Sequence, residues 1–162
     1  MSAITITAAR QSDLEALDDL MYQLHDEHHR QSPALFKTAS EIAQEKSIER
    51  YLHNPDCWVY VARLEESGEA PIIGFITGHF CELISSVSQP VLMGSVDELY
   101  VQPDYRQRGV ARQLCQRIER SFQECGVTQT FVEVWHFNVA AQTLYQSLGF
   151  NHHIHWLRKP MV

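Results

Sequence analysis

Three arginines and one glycine in "YVQPDYRQRGVARQL", Tyr100 to Leu114, carry the clearest chemistry in the chain. An apolar run ends at Val101, Pro103 and Asp104 turn the backbone, and Arg106 to Ala111 lead it into a helix. The first amide protons of a helix have no acceptor within it, so a helix entrance attracts anions. Gly109 has no side chain to keep a ligand away, and small Ala111 leaves the first turn open. Backbone amides can there wrap a pyrophosphate while the arginines neutralise it. The stretch lacks the lysine and paired glycines of a P-loop and the three glycines of a dinucleotide fingerprint, which disfavours a nucleoside triphosphate or NAD.

The ligand of such a cradle must be small, because the whole chain has a net charge of −7. Coating a nucleic acid needs basic surface over a broad face, so no nucleic-acid partner is expected. With 162 residues, 44% hydrophobic and 20% charged, the chain can bury a full core as a single domain, 1–162, without disulfide or metal staples. The opening "MSAITITAARQSD" lacks the basic flank and apolar run of a secretory signal. No stretch approaches the roughly 20 apolar residues of a membrane span. These features predict a cytoplasmic protein with no membrane partner. Cys57, Cys81, Cys115 and Cys125 sit in apolar periodic segments without the spacings of a zinc or redox site, and read as reduced core thiols. Nothing accompanying the "HDEHH" and "HHIH" runs completes a metal-ligand set, so no metal is expected either.

Elements must hold the cradle in place, and the hydrophobic period supplies them. "AITITAA" alternates as a half-buried strand. Ser12 and Glu15 form a capping-box pattern ahead of Leu14, Leu17, Leu20, Met21 and Leu24, which predicts a helix to about His29. A second helical segment, Ala39 to Leu52, ends at "HNPD". The period then drops to two: "CWVYVARL" and "PIIGFITGHFCEL" read as strands joined by a turn at "EESGEA", and "VLMGSVDELYV" is a third. Val110, Leu114, Ile118 and Phe122 recur four apart on one helix face, closed by Gly126. "TFVEVW" is a short strand, "NVAAQTLYQSL" a short helix between Asn138 and Gly149, and "FNHHIHWLRK" a final strand. The order predicts an α/β domain with a mixed sheet, parallel across the crossover around Arg108 to Cys125.

Val101, Pro103, Arg106, Gly109 and Ala111 resemble the acetyl-CoA signature of the GNAT superfamily of N-acetyltransferases, Arg/Gln-x-x-Gly-x-Gly/Ala after a strand. "FNVAAQTLYQSLGF" is similar to the family's later motif, in which an asparagine starts a short helix, a tyrosine follows seven residues on, and Gly-Phe closes it. The element order resembles the GNAT fold from its first strand to its last. The resemblance implies a mixed central sheet flanked by helices and splayed between the strand ending at Val101 and the strand Thr130–Trp135, with acetyl-CoA as co-substrate. It implies that Leu99, Tyr100 and Val101 face the pantetheine arm, and that a backbone amide among them polarises the thioester. It likewise assigns Arg106, Gln107, Arg108, Gly109, Val110, Ala111 and Arg112 to the pyrophosphate, Asn138 to the cofactor chain, and Tyr145 to a place beside the sulfur.

An amine is nucleophilic only when neutral, so its proton must go to a base or a water. Glu98 and Asp97 are the candidates on the strand that ends at the cofactor. Strand alternation sends them to opposite faces, so at most one lines the site. Glutamates are frequent on this strand in the family, which favours Glu98; as alternatives it binds a substrate ammonium or pairs with an arginine. Tyr145 is the implied acid for the leaving thiolate, or a core aromatic. Likeness places an acceptor groove near Glu27, His28, Glu82, Trp135 and His136, whose acids and rings suit a cationic amine. A small-molecule amine is the expected acceptor, with a protein lysine or amino terminus as the alternative. A module that binds acyl-CoA without turnover is the non-enzyme alternative. Family likeness also implies a homodimer.

Overall fold

The computed structural model describes residues 3–64 and 70–162. Three antiparallel pairings and one parallel pairing, between β4 and β5, form a sheet in the order β1-β2-β3-β4-β5. Its strands are β1 (Ile4–Ala8), β2 (Cys57–Leu64), β3 (Ile72–Leu83), β4 (Val91–Val101) and β5 (Gln129–Val132). Helices α1 (Leu14–Gln31), α2 (Ala39–Glu45) and α3 (Glu49–His53) come before β2, α4 (Val110–Glu124) joins β4 to β5, and α5 (Val139–Ser147) follows. The chain divides into two compact units, Met1–Val132 and Glu133–Val162. Among the described residues no helix is long and apolar enough to cross a membrane.

In the first unit each sheet face buries a different helix set. Leu17, Leu20, Met21 and Leu24 of α1 and Ile48 ahead of α3 pack with Val59, Val61, Phe75 and Tyr100 on one face. On the other, α4 presents Val110, Leu114, Ile118 and Phe122, all under 3% exposed. That helix sits close because β3 and β4 offer glycines beneath it. A Cβ on Gly78 would lie 2.6 Å from Ile118 Cδ1, and one on Gly94 would lie 2.6 Å from the Phe122 ring.

Several boundaries differ from the sequence expectations, each for a physical reason. Helix α1 starts at Leu14 after a 3₁₀ turn at Gln11–Asp13, and its cap is Asp13, whose carboxylate accepts from the Arg10 amide at 2.9 Å. The segment expected as one helix over 39–52 is two, because Lys46 adopts an extended conformation (φ −120°, ψ 128°). The predicted strand Thr130–Trp135 runs instead over Gln129–Val132. The expected turn at "EESGEA" lies largely outside the described residues. Of the four thiols, all free, only Cys115 is buried, while Cys81 and Cys125 are exposed. Their segments are apolar and periodic, but these two fall near element ends.

In the second unit, Asn138 Oδ1 accepts from the Ala141 amide at 3.1 Å and caps α5. Gly149, at φ +98°, ends it, and the Phe150 amide returns to the Tyr145 carbonyl at 3.0 Å. No strand follows. Residues 150–162 carry no regular structure, and Ile154, Trp156 and Leu157 are 76%, 94% and 87% exposed. Alternation alone predicted a strand there, but a strand needs a partner's carbonyls and amides.

Candidate active site

Strand β4 pairs with β5 only from Met93↔Gln129 to Val96↔Val132, while on its other edge it pairs with β3 as far as Val101. Five residues of β4, from Asp97 to Val101, therefore lie beyond the last parallel pair. The Gln102 amide donates to the Ile73 carbonyl at 2.8 Å. Antiparallel hydrogen bonding alternates, so Tyr100 and Glu98 point their amides at β3 while Leu99 and Val101 turn theirs toward the side that β5 has left. A ligand that brings its own acceptors can complete the ladder there.

The loop after β4 ends that gap. Backbone φ is positive at Gln107 (+61°) and Gly109 (+80°) and not at Arg108 between them. Such alternation turns successive amides toward one point and makes an anion nest. Gly109 is also the N-cap of α4, and nothing lies within 4 Å of where its Cβ would stand. Val110 is buried beneath the loop and anchors it, whereas Arg108 and Arg112 are exposed, Arg108 above the Tyr105 ring at 5.5 Å. Arg106 is committed differently. Its Nε donates to the Val101 carbonyl at 2.8 Å and its Nη2 to both Glu27 carboxylate oxygens, at 2.9 and 3.1 Å. The Tyr100 hydroxyl donates to the same carboxylate at 3.1 Å, and burial together with Glu27 pushes that phenol up to about 12. The resemblance assigns Arg106 to the pyrophosphate and Glu27 to the acceptor groove, and here they are partners.

Strand β4 carries a bulge. Thr77 pairs with Glu98 but Gly78 with Val96, so Asp97 has no partner on β3. This extra residue overturns the expectation that Asp97 and Glu98 face opposite ways. Thr77 and His79, two apart on β3, share a face; Thr77 bonds to Glu98 and His79 to Asp97. Glu98 is 6% exposed and its carboxylate holds two donors, the Lys46 ammonium on Oε1 and the Thr77 hydroxyl on Oε2. Its amide donates to Thr77 Oγ1 at 3.0 Å, which replaces the ladder bond the bulge removes. Burial lowers the Lys46 pKa, and burial with Lys46 and His28 brings His25 on α1 down to about 4.

The remaining expected residues are spread. His28 of α1 bonds through Nδ1 to the Leu24 carbonyl at 2.9 Å, and Glu82 is exposed near the end of β3. In the second unit Tyr145 is 7% exposed with its ring edge-on to Phe150, centroids 5.4 Å apart. The Trp135 and His136 side chains are exposed, and their carbonyls accept from the Gln142 amide at 3.2 and 2.9 Å. Sequence reading missed Lys46, Thr77 and His79. The last two had a signal, as polar residues sharing one face of an otherwise apolar strand; Lys46 had none. Among the described residues no group of three or more His, Cys, Asp or Glu is placed to hold a metal ion.

A mixed sheet, split beside the strand that leads into an anion-binding helix entrance, defines an acyl-CoA N-acyltransferase fold. Solved structures share it: an acetyltransferase from Vibrio fischeri is 52% identical, with a TM-score of 0.65 over 81% of this chain and 96% of that one. The aminoglycoside N-acetyltransferase AAC(6')-Iy, solved with the bisubstrate analog CoA-S-monomethyl-acetylneamine, shares the fold at 22% identity (TM-score 0.73, 99% of this chain and 100% of that one). The [ribosomal protein bS18]-alanine N-acetyltransferase of Escherichia coli K12 is 36% identical over 67 residues, 41% of this chain and 45% of that protein. The chain thus spans less than half the length of this curated relative. The acetyltransferase (GNAT) family model matches residues 21–150. The chain belongs to that family, the acetyl-CoA-dependent N-acetyltransferases. The nest at Gln107–Gly109 and the unpaired edge of β4 fit the diphosphate and the amide-bearing arm of acetyl-CoA.

Proposed function

We propose that this chain, acting as one catalytic domain, transfers an acetyl group from acetyl-CoA to a primary amine by direct attack in a ternary complex. The observation that carries the reading is the continuity of the unpaired β4 edge with the Gly109 nest. The amides of Gln107, Arg108, Gly109, Val110 and Ala111, with the Arg108 and Arg112 side chains, hold the diphosphate. Leu99 and Val101 bond the pantetheine arm, and one of their amides stabilises the oxyanion, an interaction worth about 3 kcal/mol. Tyr145 supplies the thiolate's proton, and Asn138 contacts the cofactor chain.

Glu98 receives a different duty from the base first expected of it. With Lys46 on one oxygen and Thr77 on the other, it holds the bulge and ties β4 to the break between α2 and α3. Arg106 likewise braces the loop against Glu27 of α1. Glu82, His28, Trp135 and His136 remain the proposed acceptor contacts.

A small cationic amine is the preferred acceptor, on the acidic net charge of −7. An alanine amino terminus is the second reading, favoured by the partial likeness to the bS18 enzyme. Thiol release from acetyl-CoA, followed with spermidine, neamine and an alanine-terminated peptide, separates them. Release with either small amine supports the first reading, and release with the peptide alone supports the second. Coenzyme A binding without release from any acceptor points to a sensor module. We also propose a homodimer, in which the exposed apolar side chains at 154–157 are covered by a second copy.

A further inference from the structure

The polar cluster at the β4 bulge contains an imidazole that none of these duties uses. His79 stands opposite Ser95 in register, and its Nδ1 lies 2.6 Å from Asp97 Oδ2. The same carboxylate receives the Tyr51 hydroxyl on Oδ2 at 3.0 Å and the Ser95 hydroxyl on Oδ1 at 2.7 Å. Donors from α3, β3 and β4 thus hold it in one place. The Asp97 side chain is 17% exposed and that of His79 37%, so the ring is the open member of the pair. An ionised carboxylate only accepts, so the ring presents Nδ1–H to it and, when neutral, keeps its lone pair on Nε2.

Position adds a second argument. Asp97 follows Val96, the last β4 residue paired with β5. An arm entering the gap from Gly109 and running back along β4 ends its acyl group at this level, one strand from His79. Glu98 next door has both oxygens taken, whereas Nε2 has a lone pair to offer.

We infer that His79 is the proton acceptor for the amine, with Asp97 as the positioning residue; this rests on the acetyltransferase reading. An N–H bond of the arriving ammonium breaks and its proton goes to Nε2. The neutral nitrogen forms a C–N bond to the thioester carbon, and the C–S bond breaks. The nitrogen sheds a second proton as the sulfur gains one, and the imidazolium returns its proton to solvent. Titratable groups around the ring are Asp97 on β4, Tyr51 on α3 beside that carboxylate, and Cys57 opposite it on β2. Asp56 precedes that thiol, and Lys46 after α2 lies within the field of Asp97.

The test uses the full chain, acetyl-CoA, and whichever of spermidine, neamine or the alanine-terminated peptide turns over fastest. His79→Gln is expected to lower kcat about 100-fold while calorimetry gives an unchanged acetyl-CoA Kd. The acid limb of the wild-type kcat/KM profile disappears, and added imidazole restores part of the rate to His79→Ala. Asp97→Asn displaces that limb and lowers kcat. Nitrogen-15 NMR of the wild type reads the ring directly: Nδ1–H with a bare Nε2 supports the assignment, and the opposite tautomer sinks it whatever the variants do. Full rate with an intact acid limb in His79→Gln overturns the inference alone. Absence of release by the wild type with all three amines overturns the acetyltransferase reading and the inference with it.

Discussion

At the scale of single residues, the most informative position is Gly109. Its φ of +80° costs a residue with a Cβ about 1–2 kcal/mol, yet nothing within 4 Å would collide with that Cβ. The space is what a ligand needs. Gly109→Val is expected to weaken coenzyme A at least about tenfold, the equivalent of roughly 1.4 kcal/mol, beyond its modest effect on Tm; calorimetry beside a thermal melt separates the two. Tyr145→Phe removes only a hydroxyl from a ring that packs on Phe150. It is expected to lower kcat by about 100-fold or more with acetyl-CoA Kd unchanged, and an unchanged kcat in steady-state assays would remove Tyr145 from the proton path.

At the scale of elements, α4 is held by the ring of Phe122, which is 1% exposed and stands over Gly78 and Gly94 with Trp58 edge-on at 5.5 Å. Phe122→Ala opens a cavity that the glycines beneath cannot fill, and is expected to cost about 3–5 kcal/mol, measured by urea unfolding. Because α4 also carries the nest at its N-terminus, that variant's affinity for coenzyme A reports how far sheet packing positions the loop. The split between α2 and α3 belongs to this scale too. Lys46 leaves the helix, its ammonium reaches Glu98, and Ser47 Oγ then accepts from the Glu49 amide at 3.3 Å to start the next turn.

At the scale of the whole molecule, stability should depend on pH through His25. The folded protein holds its pKa near 4, chiefly by burial, against an ordinary histidine value of about 6.5. Between those values the unfolded chain binds the proton that the folded one refuses, so stability falls as pH drops from about 6.5 toward 4. Melts across that window are expected to show a smaller loss of Tm for His25→Gln than for the wild type; equal slopes would assign the loss to other groups. The exposed segment at 154–157 makes a mass prediction. Light scattering is expected to give twice the 18.7 kDa of one chain, and removal of residues 152–162 to give a monomer; a monomeric full-length protein would leave the apolar tail without its proposed cover.

Local patterning alone determined much of this protein. Periods of two and 3.6 placed all five strands of the sheet, α1 and α4, and glycines with no Cβ marked the ends of α4 and α5, because these properties depend on neighbours within one turn or one pleat. The Gly109 entrance was legible for the same reason. Tertiary structure alone decided which charged groups meet. One extra residue at Asp97 turned two carboxylates to the same face, Lys46 came from another element to occupy Glu98, and Glu27 crossed 79 positions of sequence to take Arg106. Alternation at 150–159 predicts a strand, but those residues join no strand ladder among the described residues. Periodicity reports which side of an element is apolar, whereas a bulge, an ion pair or a strand partner is set by backbone and charge brought from elsewhere in the fold.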